Sequence, residues 1–459
     1  MLSISFKIMQ LQGGISVKKL WILALTILTV FVLAACGGDN NEESSNSNTD
    51  SSIETDKDTE ANSDSDEEIT LNFWAFGATN YEEMAAEYEK DNPNVKIKFK
   101  TSETDEHHDA LFNALSAGSG APDIVLLEVD QLDRFKSAQD RFVNLYDVGA
   151  KDIEGNYLDW KWQAGENLDG DFLIGLPTDI GPKALYYRTD VFEEAGLPTE
   201  PEEVEALIDS PEAFIEAGKQ VKEKTGKPFV DSIEMAYRAY LDAGEEGYLN
   251  PDGELIVEED GSAVKKAYDF AVELHEAELV GNFTLWSPEW ANAVNEGGFA
   301  AELGAGWLKG WLEENAPDAS GKFRVATLPT EFSANWGGSY LAIPAETDHS
   351  QAAYDFISWL TSAEGQLKSF QSHGLFPSAP EVYEQDEFKN NSDEFFGGQV
   401  SSVVFAEAAQ DVSGTIYKGE KYVAVHNEFN NALINVQDGA DPEEEWEAAV
   451  ERAKGLVSR

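Results

Sequence analysis

Between residues 69 and 127 the spacing of hydrophobic positions changes four times. Ile69-Thr70-Leu71-Asn72-Phe73-Trp74 has the two-residue alternation of a half-buried strand. Over residues 81–90, Met84, Ala85 and Tyr88 fall on one face at helical spacing, and Asn92-Pro93 ends that helix. Residues 95–100 alternate again. A second helix is expected over about 106–117, followed by a loop at Gly118-Ser119-Gly120-Ala121-Pro122. Asp123-Ile124-Val125-Leu126-Leu127 is then almost wholly apolar, as in a strand covered by helices on both faces. This strand–helix–strand–helix–strand order predicts a parallel sheet in an α/β domain.

Further along, Asp169-Gly170-Asp171 predicts a hairpin turn into residues 172–177. Asp252-Gly253 predicts another between Tyr248-Leu249 and Leu255-Ile256-Val257. Neither has the twelve-residue ligand spacing ending in Glu that a calcium hand requires, so both read as turns. Helical spacing dominates around 211–225, 262–277, 288–295 and 354–360, with no internal repeat.

The N-terminal pattern differs from all of this. Lys18 and Lys19 precede thirteen apolar or near-apolar residues, 20–32, and then Leu33-Ala34-Ala35-Cys36. That is the order of a signal peptide, and the run is short of the roughly 20 residues a spanning helix needs. Leu-Ala-Ala-Cys-Gly resembles the bacterial lipobox, which implies a diacylglyceryl group on Cys36 and two acyl chains for stable anchoring. Residues 1–16 precede the signal, and Val17 is the expected initiator. Cys36 is the only cysteine, which excludes an intrachain disulfide or thiolate metal site. Residues 37–68 hold twelve acids, one lysine, one large aliphatic (Ile53) and no aromatic. Such a tract cannot bury enough apolar surface to order itself, so a self-repelling, disordered tether is expected. The whole chain carries a formal charge of −55, which argues against nucleic acid or anionic lipid as ligand. Adaptation of an external protein to salt or high pH accounts for it. Residues 69–459 are numerous enough for two domains.

Four stretches resemble the cluster-1 extracellular solute-binding proteins, the maltose- and oligosaccharide-binding-protein-like sugar receptors of ABC importers. They are ITLNFWAFGATNYEEMAAEYEKDNPNVKIKF from Ile69, GAPDIVLLEVDQLDRF from Gly120, GLPTDIGPKALYYRTDVFEEAGLP from Gly175, and WGGSYLAIPAETDHSQAAYDFISWLTSAEGQ from Trp336. The resemblance implies an α/β, type II-like, two-lobe periplasmic-binding-protein fold, with parallel-sheet lobes joined by a multi-segment hinge. It implies an N-terminal lobe of 69–177 and 336–366, a C-terminal lobe of 182–330 and 371–459, and crossings near 176–182 and 330–336. It further implies a ligand held between the lobes, no cofactor and no metal, a monomer, and a partner permease in the membrane. Arg188 and Thr189 depart from the family's usual pattern, as does the hinge Thr178-Asp179-Ile180-Gly181-Pro182, which leaves the sugar open.

A sugar site needs flat aromatic rings for C–H faces and planar polar groups for hydroxyls. Five of the eleven tryptophans fall between 286 and 336. Ser287-Pro288 reads as an N-cap with Pro at the first helical position, which places Trp286 just before a helix and Trp290 in its first turn. Trp307 and Trp311 share a helix face, Trp307 following the small Gly304-Ala305-Gly306. Trp286, Trp290, Trp307 and Trp336 are candidates for the site, with Trp311, Trp359 and Trp446 expected in the core. Trp74, Phe76 and Thr79 end the first strand, where ligands bind in open α/β sheets, and Glu128 and Asp130 end the third. Asp179, Gly338, Tyr340 and Glu407 complete the candidates, with Phe405 beside Glu407. Trp platforms with carboxylates also suit a glycoside hydrolase, although no one acid stands out in the sequence as a proton donor. His107-His108, in an acid-rich segment, suggests a metal-transport lipoprotein. Adjacent helical side chains diverge by about 100°, however, which speaks against a shared ion.

Overall fold

The structure is a computed structural model that describes residues 68–458, apart from 245, 413 and 415. The signal segment, Cys36 and the acidic tether lie outside the described residues. Among the described residues, ten strands form two main sheets and a short ribbon. The first sheet has the order β2-β1-β3-β9-β4, with β1 Ile69–Phe76, β2 Val95–Ser102, β3 Ile124–Glu128, β4 Gly175–Pro177 and β9 Ser339–Ala342. β5 Asp179–Ile180 and β10 Phe376–Pro377 form the ribbon. The second sheet has the order β7-β6-β8, with β6 Lys183–Arg188, β7 Ala301–Ala305 and β8 Phe323–Ala326.

β1 pairs in parallel with both β2 and β3, from Ile69 opposite Val95 and Phe73 opposite Ile124. The apolar run of β3 has its expected cause. Ile124 and Leu126 pack into one core with Leu71 and Phe73, while Val125 and Leu127 pack into another with Leu111 and Phe135. Beyond β3 the sheet turns antiparallel, because β9 returns from the second lobe and β4 leaves toward it. The second sheet differs from the parallel expectation, since β6 is antiparallel to both neighbours. β7 and β8, joined by the helix Leu308–Asn315, do run parallel to one another, but β6 lies between them. All six residues of β6 are buried, its side chains alternating between two cores. Both Asp-Gly turns close short antiparallel contacts, Glu166 with Leu173 and Leu249 with Leu255.

The chain passes between the sheets after β4 and again before β9. These passages are stitched together: Trp336 N–H donates to Gly181 O at 2.7 Å and Gly181 N–H to Asn335 Oδ1 at 2.8 Å. Only glycine fits at 181, because a Cβ there would lie 1.9 Å from Trp336 O. The passages form the floor of the space between the sheets.

Candidate functional site

A cavity of about 1010 Å³ opens above this floor. Phe76, Thr79 and Glu128 line it from the first lobe, Asp179, Trp336 and Gly338 from the passages, and Trp307 and Trp311 from the second lobe. Phe76 is the last residue of β1 and Glu128 the last of β3, so the carboxyl ends of two parallel strands deliver them. Gly338 has φ +88°, and a Cβ there would meet Asp179 O at 2.4 Å, so its part in the cleft is to let two backbones touch.

His107 and His108 support this rim. Phe76 packs on both rings, with centroids 5.3 and 5.1 Å away. Their nitrogens are taken up by backbone. His107 Nε2 meets Leu126 O at 2.7 Å, His108 Nδ1 meets Thr104 O at 2.7 Å, and Glu128 N–H donates to His108 Nε2 at 3.1 Å. Burial pushes His108 down to about 3, so the ring is neutral and suited to accept that hydrogen bond. The pair therefore braces the end of β3, and among the described residues no group of His, Cys, Asp and Glu is arranged to hold a metal.

The opposite wall is aromatic. Trp286 lies 5.9 Å from Trp307, 6.4 Å from Trp336, 5.8 Å from Trp311 and 5.1 Å from Trp290, centroid to centroid. Its ring planes with Trp307 and Trp336 differ by only 33°. Trp286 has φ +66°, a left-handed conformation that costs a side-chain-bearing residue about 1–3 kcal/mol. It is nonetheless 48% exposed. A strained, exposed tryptophan held among four others is a surface shaped for contact rather than for packing. Trp307 is fixed by an indole N–H donated to Trp336 O at 2.9 Å. The helix behind begins as the sequence predicts, with Ser287 Oγ accepting from Trp290 N–H.

Beneath the rim lies a charged cluster spanning the lobes. Asp130, two residues past β3, meets Arg238 at 3.3 Å and also pairs with Lys418, both from the second lobe. Arg238 in turn reaches Asp242 at 3.4 Å, which holds Lys183 at 2.7 Å. The Arg238 guanidinium sits 5.5 Å from the Trp336 ring. Burial works to raise the Asp130 carboxyl, but Lys418 and Arg238 hold it well below the usual carboxylate range. Glu128 goes the other way. Burial, and then the neighbouring Asp130 charge, push it up to about 8. The two neighbouring acids of this rim are therefore driven in opposite directions, a contrast the sequence alone does not show. Lys161 is fully buried with no hydrogen-bond partner at Nζ, 4.0 Å over the Tyr340 ring, and burial lowers it to about 7.

Phe76, Thr79, Glu128, Asp179, Trp307, Trp336 and Gly338 come together at the cavity, with Trp286 stacked behind. Four candidates lie elsewhere. Trp290 is wholly buried, donating to Asp231 Oδ2 at 2.9 Å, and Tyr340 is wholly buried, donating to Lys161 O at 2.7 Å. Trp74 packs beside Leu111 and Phe135 under Lys100, away from the cavity. Glu407 is exposed on the helix Ser401–Asp411, and its neighbour Phe405 is core. Asp130 is near the cleft but spent on Arg238 and Lys418. Trp311, expected in the core, instead lines the cavity while half-buried. Trp446 is core, and Trp359 is half-buried against one. Sequence reasoning missed Arg238, Lys418, Lys161 and His373, whose Nδ1 is buried without a partner at the cavity. No local pattern marks any of them.

A family profile described as bacterial extracellular solute-binding protein matches residues 77–367. The arabinooligosaccharide-binding proteins of Halalkalibacterium halodurans and Bacillus subtilis are each 26% identical to this chain over 80% of it, covering 84% and 87% of themselves. The lactose-binding protein of Rhizobium radiobacter is 27% identical over 85% of this chain and 93% of its own. Among solved structures, an extracellular solute-binding protein of family 1 superposes with TM-score 0.80 at 31% identity, covering 85% of this chain and all of the other. A binding protein associated with an ABC transporter of Bifidobacterium animalis subsp. lactis, solved with β-1,6-galactobiose, superposes with TM-score 0.68 at 26% identity, covering 84% of this chain and 98% of that one.

Proposed function

This chain belongs to the bacterial extracellular solute-binding proteins, and we propose that it is the sugar receptor of an ABC importer, with an oligosaccharide as its ligand. The observation that carries this reading is Trp307 and Trp336, backed by Trp286, facing the polar rim of Thr79, Glu128 and Asp179 across one cavity. Sugar C–H faces stack on such rings while carboxylates and amides take the hydroxyls. The relatives named for arabinooligosaccharides and lactose favour an oligosaccharide.

In this reading the sugar touches both lobes and shifts the population toward the closed form. That form docks, as a monomer, on a permease pair driven by a cytoplasmic ATPase. Cys36 carries the lipid that keeps the receptor at the outer face of the cytoplasmic membrane, and residues 37–68 give it reach. Binding without turnover is the activity in this reading, and Asp130, the acid next to Glu128, is held by two cations and is not free to act as a nucleophile or base.

The test is a thermal-shift and calorimetric screen against arabinotriose, β-1,6-galactobiose, lactose and maltotriose. One-to-one binding of at least one, with no cleavage products on chromatography, is expected. Turnover of any of them would replace this reading with a hydrolase.

A further inference from the structure

The cations around the cleft have a common feature. Lys309 is the lysine that lines the cavity, and its ammonium is held between Glu313 at 3.0 Å and Asp393 at 2.7 Å. Arg238, beside Trp336, is taken by Asp130 and Asp242. Lys418 is taken by Asp130, and Lys183 by Asp242. Lys161, which has no partner, is wholly buried behind Tyr340, where no ligand reaches it. Four carboxyl groups meanwhile line the cavity: Glu128, Asp179, Glu313 and Glu314. Lys309 is the only Lys or Arg among the described lining residues.

We infer that the cleft selects uncharged glycans and rejects those carrying a carboxylate or phosphate, because each cation among the described residues at or beside it, Lys309, Arg238, Lys418 and Lys183, is already paired within the protein, and Lys161 is sealed behind Tyr340. Taking an ionised group out of water costs several kcal/mol unless a counter-charge receives it. Among the described residues no counter-charge is free to receive it. A hydroxyl meets no such cost, since Glu128 and Asp179 at the cavity wall offer it hydrogen bonds. Discrimination by leaving a buried group unpaired is larger than discrimination by shape alone. The inference rests on the sugar reading and adds the charge class of the ligand.

The experiment pairs each of arabinotriose, β-1,6-galactobiose, lactose and maltotriose with the same sugar oxidised at a free primary hydroxymethyl to the carboxylate. Titration calorimetry is run on the processed protein. For the neutral sugar that binds, the oxidised partner is expected to bind at least about 30-fold more weakly, roughly 2 kcal/mol. Freeing Lys309 with the double variant Glu313→Gln, Asp393→Asn should narrow that ratio by about tenfold, circular dichroism verifying the fold. Equal or tighter binding of the oxidised form by wild type overturns the inference and leaves the sugar reading standing. An unchanged ratio in a folded double variant also overturns it, because pairing of the cation would then not be the cause. No binding by any neutral sugar overturns the sugar reading and this inference with it.

Discussion

The aromatic wall and the ionic tie meet at Trp336, and they hold the cleft in different ways. The wall is made within one lobe and one passage, from rings fixed by neighbouring rings and by the Trp307 indole donating to Trp336 O at 2.9 Å. Its shape is present before any ligand arrives, at the cost of a left-handed Trp286. The tie joins groups from opposite lobes, Asp130 with Arg238 and Lys418, and exists only while those lobes are close. A preorganised surface contributes affinity. A contact that forms on closure contributes to the balance between open and closed forms. Substitutions in the two regions should therefore be read by different instruments.

The largest effect is expected behind the wall. Trp290→Ala removes a wholly buried ring and leaves Asp231 without its indole donor, so unfolding should lose about 3–5 kcal/mol in a denaturant titration. Loss below about 1 kcal/mol would mean the wall is not packed as described. Next is Trp307→Ala, expected to weaken sugar binding by about 2 kcal/mol, roughly 30-fold, with the fold retained. Asp130→Asn follows. It should enlarge the radius of gyration of the sugar-free protein in small-angle scattering and weaken binding by only about 1 kcal/mol, through the closing equilibrium. If Trp307→Ala expands the protein and Asp130→Asn does not, the two regions have been assigned the wrong way round.

The smallest effect concerns pH. Glu128 is raised from an ordinary 4.5 to about 8 by burial and then by Asp130. Between those values the folded protein keeps a proton that the unfolded chain has lost, so this group makes stability fall as pH rises from about 4.5 to 8. Glu128→Gln should flatten that part of the profile, measured as urea midpoints at pH 5, 6, 7 and 8. An unaltered slope would remove Glu128 from the buried rim.

Much of this was legible in the sequence, for reasons that individual residues make plain. Periodicity located β1, β2 and β3 because Leu71, Phe73 and the run 124–127 face two distinct cores. Ser287-Pro288 located a helix start because capping is a local interaction. The antiparallel second sheet was not legible, since β6 takes partners more than a hundred residues away. Nor could spacing separate Trp290 from Trp286. Both flank the same cap, yet one is buried against Asp231 and the other is half exposed. Asp130 was found, but not its purpose, because Arg238 and Lys418 lie 108 and 288 residues away. Charge pairs at such separations leave no local signature.

The tryptophan wall between the lobes is, on the function proposed above, a platform for an uncharged oligosaccharide. Intrinsic tryptophan fluorescence of the wild-type protein, titrated with arabinotriose, β-1,6-galactobiose, lactose and maltotriose, tests it most directly. The prediction is a saturable one-to-one change in emission with at least one of them, abolished or displaced to far higher concentration in Trp307→Ala. A folded wild-type protein whose emission and melting temperature respond to none of the four would contradict it.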